Sequence, residues 1–337
     1  MVTRNQGWRP AFAVLRRKVL LSAVMALPAA CVWAQDNSQN YPSGPITFVV
    51  PFTPGGTTDI AARVVAKQLA DAWKQPVLVE NKAGAGGTIG TAQVIKAKPD
   101  GLTVLVAPSA LGVRAGIDKN MPQDYVQSLA GVGMLARAPV FLIVASSMGV
   151  NNLSELVKRV KDSQQDVIYG SAGVGTGGHM HGALFASKQD LKAVHAPYRG
   201  TPEAVTDAVT ERVAYAFAPA ANVLPFVRDG RGRVLGVTSQ AGVDLVRGAA
   251  PVAPEVVEDE LGDDWFAAFV PAGTPVEIRR KLNREINRIL QTPETRKTLE
   301  NIGAVPVSST PEELDKMFSE YVALSRKVGD LIGIKLD

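Results

Sequence analysis

Two stretches of this chain place glycine and hydroxyl residues where an apolar run gives way to a helical pattern. The first is Thr53-Pro54-Gly55-Gly56-Thr57-Thr58-Asp59, which follows the apolar run Ile46 to Pro51. The second is Tyr169-Gly170-Ser171-Ala172-Gly173-Val174-Gly175-Thr176-Gly177-Gly178-His179, with five glycines in eleven residues. A strand that turns through glycine into a helix leaves unpaired backbone N–H groups converging on one point. The positive end of the helix dipole lies behind them. The chemistry such a turn offers is the holding of an anion or carboxylate. No lysine or arginine lies between Gly44 and Ala62, so at the first site the main chain must do the holding. A plain tight turn accounts for Gly55-Gly56 equally well, with Asp59 complementing the dipole. An Asp59–Arg63 ion pair at i, i+4 is expected on either reading. Five glycines are entropically costly to order, and close approach of backbone to a ligand explains them better than a simple connection does. A third junction, Ala196-Pro197-Tyr198-Arg199-Gly200-Thr201-Pro202, adds one side-chain charge, Arg199.

Catalytic readings find little support. There is no G-x-x-x-x-G-K-[ST] loop for a nucleotide and no G-x-S-x-G elbow for a nucleophile. Gly84-Ala85-Gly86-Gly87-Thr88-Ile89 lacks the third glycine of a dinucleotide fingerprint. The three histidines fall between 179 and 195, and His179-Met180-His181 brings no third ligand or carboxylate, so no metal site is expected. No cofactor is expected either, and no paired carboxylates or nucleophile–base spacing mark an active site.

The elements that must position these turns alternate in an α/β manner. Apolar runs predict strands at Ile46–Pro51, Val77–Glu80, Thr103–Ala107, Val140–Ala145, Val167–Gly170, Ala193–Ala196, Val213–Ala218, Val234–Thr238 and Phe266–Val270. In the seventh, Tyr215 and Phe217 alternate with Ala214, Ala216 and Ala218, as if something must approach the small face. Thr-Pro at 201–202, 274–275, 292–293 and 310–311 reads as N-cap followed by proline at the first helical position. Glu277 and Glu313 would complete capping boxes. Ile278, Leu282, Ile286 and Ile289 form one stripe, which must pack on a sheet. The stretch Gln240 to Asp264 is rich in Gly, Pro and acidic residues and suits an exposed connection where the chain crosses between lobes.

Residues 1–35 read as an export signal: Arg16-Arg17-Lys18 precede the apolar run Val19 to Ala30, with Val32-Trp33-Ala34 at the cleavage position. The route is Sec or twin-arginine; Ala29-Ala30-Cys31 is a poor lipobox, so lipoprotein anchoring is not expected. Five of the 36 basic residues and none of the 32 acidic ones lie in this segment, leaving 31 basic against 32 acidic. The basic character belongs to the export tag, and nucleic-acid binding loses its compositional support. Cys31 is the single cysteine and is removed with the signal, so no disulfide is required. The remaining length suggests two domains.

Taken together, PFTPGGTTDIAAR (51–63), VENKAGAGGTIG (79–90), PDGLTVLVAPS (99–109), YGSAGVGTGGHMHGALF (169–185), APYRGTPEAV (196–205) and WFAAFVPAGTP (265–275) resemble the Bug-type substrate-binding proteins of tripartite tricarboxylate transporters. The resemblance runs from about Tyr41 to the C-terminus, in family order. It implies a type II periplasmic-binding-protein fold, two α/β lobes with a ligand cleft between them. Lobe 1 would hold residues 42–141 plus 263–337, and lobe 2 residues 142–262. It further implies a periplasmic, non-enzymatic, monomeric protein that takes a small carboxylate and delivers it to membrane permease subunits. Carried over residue by residue, the first-lobe contacts fall on Pro54, Gly55, Gly56, Thr57 and Asp59, with Ser109 nearby. Second-lobe contacts fall on Ser171, Gly173, Gly175, Thr176 and the turn Tyr198, Arg199, Gly200, Thr201.

Three departures from the family pattern bear on the ligand. Where many members read S-S-G-N-G-[ST], this chain has Ser171-Ala172-Gly173-Val174-Gly175-Thr176. Where many end the next strand in Phe-Asp, it has Phe217-Ala218, which puts Ala218 among the pocket positions and argues against an ammonium group. All three make the pocket less polar and suit a ligand with one carboxylate end and an apolar or aromatic body. Two other readings remain: a sensor protein presenting its ligand to a signalling kinase, and a secreted enzyme using the His179–His195 cluster.

Overall fold

The computed structural model describes residues 1–3, 40–119, 121, 124–163, 166–246, 254–257 and 260–334. The export-signal reading, with Cys31, lies outside the described residues apart from the first three. Every strand and helix described belongs to one compact unit, Ser38–Asp337. No described helix is long and apolar enough to cross a membrane.

In chain order the first group is β1 (Ile46–Val50), α1 (Thr57–Trp73), β2 (Val77–Asn81), α2 (Thr88–Ile95), β3 (Thr103–Pro108), α3 (Ala110–Ile117), α4 (Tyr125–Ser128) and β4 (Leu129–Ala138). The second is β5 (Val140–Ala145), α5 (Leu153–Asp162), β6 (Val167–Ser171), α6 (Gly177–Lys188), β7 (Ala193–Pro197), α7 (Thr201–Val209), β8 (Tyr215–Pro219), α8 (Ala220–Arg228), β9 (Gly232–Val237), α9 (Gln240–Val246) and β10 (Glu255–Val256). The chain then returns through β11 (Asp264–Pro271), α10 (Val276–Leu290), α11 (Pro293–Asn301), β12 (Val305–Pro306) and α12 (Pro311–Leu331). Two six-stranded sheets result, ordered β12-β4-β11-β3-β1-β2 and β10-β9-β5-β8-β6-β7.

All nine strands read from the sequence are present. The strands that went unread are the two-residue β10 and β12 and the long β4, whose Gly131 and Gly133 weaken the apolar signal. Both glycines are required by packing: a Cβ at Gly133 would lie 2.6 Å from Asn283 Nδ2, and one at Gly131 would lie 2.9 Å from Asp315 Oδ1. The α10 stripe behaves as expected, with Ile278, Leu282, Ile286 and Ile289 buried in the first-sheet core beside Val132 and Leu135 of β4. Helix capping is mixed. Thr310 and Glu313 form the full capping box, and Thr292 caps Thr295 N–H. Thr201 is instead the first helical residue behind Gly200. At α10 the N-cap is Pro275, and the Thr274 hydroxyl is buried without a partner, so the box with Glu277 does not form. In β8 the ring face packs with Tyr169 and Phe185, and the alanine face takes Val205 and Ala208 of α7. It is helix α7 that approaches the small face of β8.

Register determines where the turns meet. β1, β2 and β3 are parallel, so their C-terminal ends share one edge, and antiparallel β11 starts there, with Phe266 opposite Pro108. β4 ends at the same level, Ala138 opposite Asp264. In the second sheet β6, β7 and β8 are parallel, and β5 starts opposite their C-terminal ends, Val140 against Pro219. Pro139 alone therefore joins the two C-terminal edges, and the return from β10 to β11 joins them again. Thr238 fastens these crossings: its hydroxyl accepts from Val140 N–H at 3.0 Å and donates to Asp263 Oδ1 at 2.6 Å.

Candidate functional site

Both glycine turns stand on those joined edges. The first leaves β1 and enters α1 behind Gly56, an N-cap with no side chain to satisfy the first helical N–H groups. Pro54, Gly55 and Gly56 are exposed and Thr57 is half-buried. Gly55 has φ +88°, a conformation that favours glycine, and the space where a Cβ would stand at Gly55 or Gly56 is open. Asp59 is buried at 3% exposure and works from below. Its Oδ2 accepts from Gly55 N–H and Arg63 Nε, both at 3.0 Å, and its Oδ1 accepts from Asn81 Nδ2 at 2.9 Å. Asn81 also donates to Phe52 O at 3.1 Å and accepts from Arg63 Nη2 at 2.9 Å. Burial alone would raise the Asp59 pKa. The hydrogen bonds from Arg63, Gly55 and Asn81, with the Arg63 charge, outweigh it and hold the carboxyl below its ordinary value. The expected Asp59–Arg63 pair is thus present, as part of a clamp that fixes the turn.

The second turn leaves β6 and enters α6 behind Thr176, which provides no side-chain cap. Gly173 and Gly175 have φ +119° and +76°. The Ser171 hydroxyl is the hub: it donates to Gly173 O and accepts from Gly173 N–H, both at 3.1 Å, and lies 2.7 Å from His195 Nε2. Thr176 Oγ1 donates to Gly173 O at 2.8 Å. Gly175 N–H donates to His179 Nδ1 at 3.1 Å, so that nitrogen carries no proton. His179 and His195 stack with ring centroids 3.9 Å apart, and Tyr169 lies against both. Burial depresses the His195 pKa to about 4; burial and the neighbouring His195 take His179 to about 3. Both rings are neutral near pH 7. Among the described residues no group of three or more His, Cys, Asp or Glu could hold a metal.

The remaining positions divide. Ser109 sits at the end of β3 on the site edge, fully buried, its hydroxyl donating to Asp264 Oδ1 at 2.6 Å. Asp264 reaches the second turn: a Cβ at Gly177 would lie 2.8 Å from its Oδ1. Strand β11 of one lobe thus touches the N-terminus of α6 in the other. Gly200 and Thr201 open α7 beside the edge, and Arg199 is exposed there. Tyr198 turns away, its hydroxyl donating to Asp207 Oδ2 at 2.8 Å. Ala218 has no exposed surface and lies in the core with Phe141, Ala216 and Val223. Asn81 and Asp264 were missed by sequence reasoning, and His195 was read only as part of a histidine cluster, not as the partner of Ser171. The partners of Asn81, His195 and Asp264 lie 22, 24 and 155 residues away, and no local spacing marks them.

Against known proteins, residues 61–334 match the model of the tripartite tricarboxylate transporter family receptor, TctC. The chain belongs to that family. The periplasmic binding protein BugD superposes with TM-score 0.74 at 27% identity, covering 88% of this chain and 99% of BugD. Rpa4515 from R. palustris, solved with adipate, gives 0.77 at 27%, with the same coverage. MatC from Rhodopseudomonas palustris, solved with malate, gives 0.73 at 26%, covering 86% of this chain and 99% of MatC. The two-sheet architecture is therefore the two-lobe fold of periplasmic binding proteins, and the chain is a TctC-family solute-binding protein.

Proposed function

We propose that this protein captures a small carboxylate with an apolar or aromatic body by cleft closure and delivers it to a tripartite tricarboxylate-type transporter. The closing lobes are residues 42–138 with 263–337, and residues 140–262. The boundary read at 141/142 moves back because Val140 and Phe141 pair within β5 of the second sheet. Residues 1–35 direct export to the periplasm. The observation that carries this reading is the pair of uncapped helix N-termini, α1 and α6, on sheet edges joined by Pro139. The exposed glycines Gly55 and Gly56 leave room for a carboxylate against the α1 amides. On the opposite side Ala172 and Val174 stand where a polar pair would suit a polar ligand, and Val174 is exposed. Adipate, bound by one neighbour, is an acid with a methylene body; malate, bound by another, is more polar. The buried Ala218 adds nothing to this argument.

Closure is favoured because only the closed form lets both lobes touch one ligand. Micromolar affinity corresponds to about 8 kcal/mol. A few charge-assisted hydrogen bonds, each about 1.5–3 kcal/mol, together with buried apolar area supply that after the association entropy. The test is calorimetric titration with benzoate, adipate, malate, aspartate and glutamate. The expected result is micromolar binding of an apolar-bodied acid; micromolar binding of aspartate or glutamate would overturn the apolar preference. Delivery is tested separately: deleting the cognate permease genes should abolish uptake of the captured acid.

A further inference from the structure

A small, partly enclosed cavity lies behind the first-lobe edge. Its walls include Phe52, Gly86, Thr88, Leu111, Arg114 and Tyr125, and its volume is about 10 Å³. That is room for one water-sized species. Three of these residues carry a buried polar atom with no hydrogen-bond partner: Thr88 Oγ1, Arg114 Nε and the Tyr125 hydroxyl. Tyr125 is only 2% exposed. Burial raises its pKa, while hydrogen bonding with Thr88, looser than a close direct contact, and the Arg114 charge pull it the other way. The rest of the Arg114 guanidinium is accounted for. Its Nη2 donates to Asp118 Oδ2 at 3.0 Å, and its Nη1 lies over Gly86, where a Cβ would come within 2.6 Å. Gly86 has φ +62° and leaves the space in which the guanidinium lies.

Buried polar atoms are rarely left unpaired, and three around one cavity have a common explanation. We propose that this cavity binds one single-atom hydrogen-bond acceptor, a water or a halide ion, held by Arg114 Nε–H and the hydroxyls of Thr88 and Tyr125. The Nε–H group can only donate, so the occupant must accept; both hydroxyls rotate to suit it. Thr88 also opens α2, whose N-terminal end adds positive potential. Asp118 balances the Arg114 charge, which leaves a neutral water and a halide both admissible. The occupant would tie the β1 and β2 exits to α3, the helix that begins beside Ser109.

Crystals grown with bromide in place of chloride test the site. An anomalous peak within hydrogen-bonding distance of Arg114 Nε and Tyr125 Oη identifies a halide, and ordinary density there without anomalous signal identifies water. An empty cavity, or Arg114 and Tyr125 hydrogen-bonded to other protein groups, overturns the proposal. Melting of the full protein gives an independent reading through the sign of the change. If the occupant is present, Tyr125→Phe and Thr88→Val each lower the Tm by about 2–4 °C. The double variant is then no worse than the weaker single, because the occupant is lost as a unit. A dry cavity would give an unchanged or higher Tm, since each substitution would remove an unpaired group.

Discussion

Below the first turn lies an ionic clamp; below the second lies a stack of neutral rings. Asp59, Arg63 and Asn81 hold Gly55 through a carboxylate, whereas Ser171, His195 and His179 hold Gly173 and Gly175 through a hydroxyl and two imidazoles. The first needs no neutralising neighbour beyond Arg63 because one fork of charge-assisted bonds does the work. The second spends most of its hydroxyl groups on itself, so the amides at the start of α6 are what it has to offer. One kind of surface, an uncapped helix N-terminus behind glycine, can therefore rest on quite different supports.

The largest effect expected is from filling the first turn. Gly56→Phe places a ring where a Cβ meets open space, at an ordinary φ of −78°. Ligand affinity should fall by more than about 100-fold with the unliganded Tm unchanged, as calorimetry and melting will show. Asp59→Ala comes next. It strips Gly55, Asn81 and Arg63 of a common acceptor and should cost about 2–3 kcal/mol, a Tm fall of about 4–8 °C, with weaker ligand binding.

Acid separates the two supports. A histidine whose pKa is depressed by folding binds its proton more readily in the unfolded chain, so stability falls as pH drops below the ordinary value near 6.5. That loss runs down to the folded values of about 3 and 4. Asp59 is the opposite kind of group. Its contribution is intact above the ordinary carboxylate value of 3.8 and is lost only as pH falls through its lowered folded value. Between pH 6.5 and 4 the second turn alone should respond, and His195→Gln should flatten the slope of Tm against pH there. A parallel slope in the variant would assign the acid response elsewhere. The smallest effect is expected from Val174→Asn, which restores a polar group to the second turn. Affinity for an apolar-bodied acid should fall about threefold to tenfold, by titration.

Much of this comparison was open to a reader of the sequence, and its limits have physical causes. Both turns were legible because each needs glycine at a positive φ next to an apolar strand and a helix start. The Asp59–Arg63 pair was legible because it lies within one helical turn. The supports were not, because Asn81, His195 and Asp264 are brought in by sheet register rather than by spacing. β4 was hidden for a similar reason: its glycines answer to Asn283 and Asp315, which lie far along the chain. Ala218 misled in the other direction, since its small size serves the packing of α7 and α8 on β8.

The central claim is that α1 and α6 present their N-termini to the same ligand from opposite lobes. A crystal structure of the protein with the acid from the titration panel that binds most tightly tests it directly. The account predicts carboxylate oxygens within hydrogen-bonding distance of the Gly56–Thr57 amides and ligand contact with the Gly177–Gly178 amides in the same closed cleft. A ligand held by one lobe alone, or seated away from both turns, would contradict it.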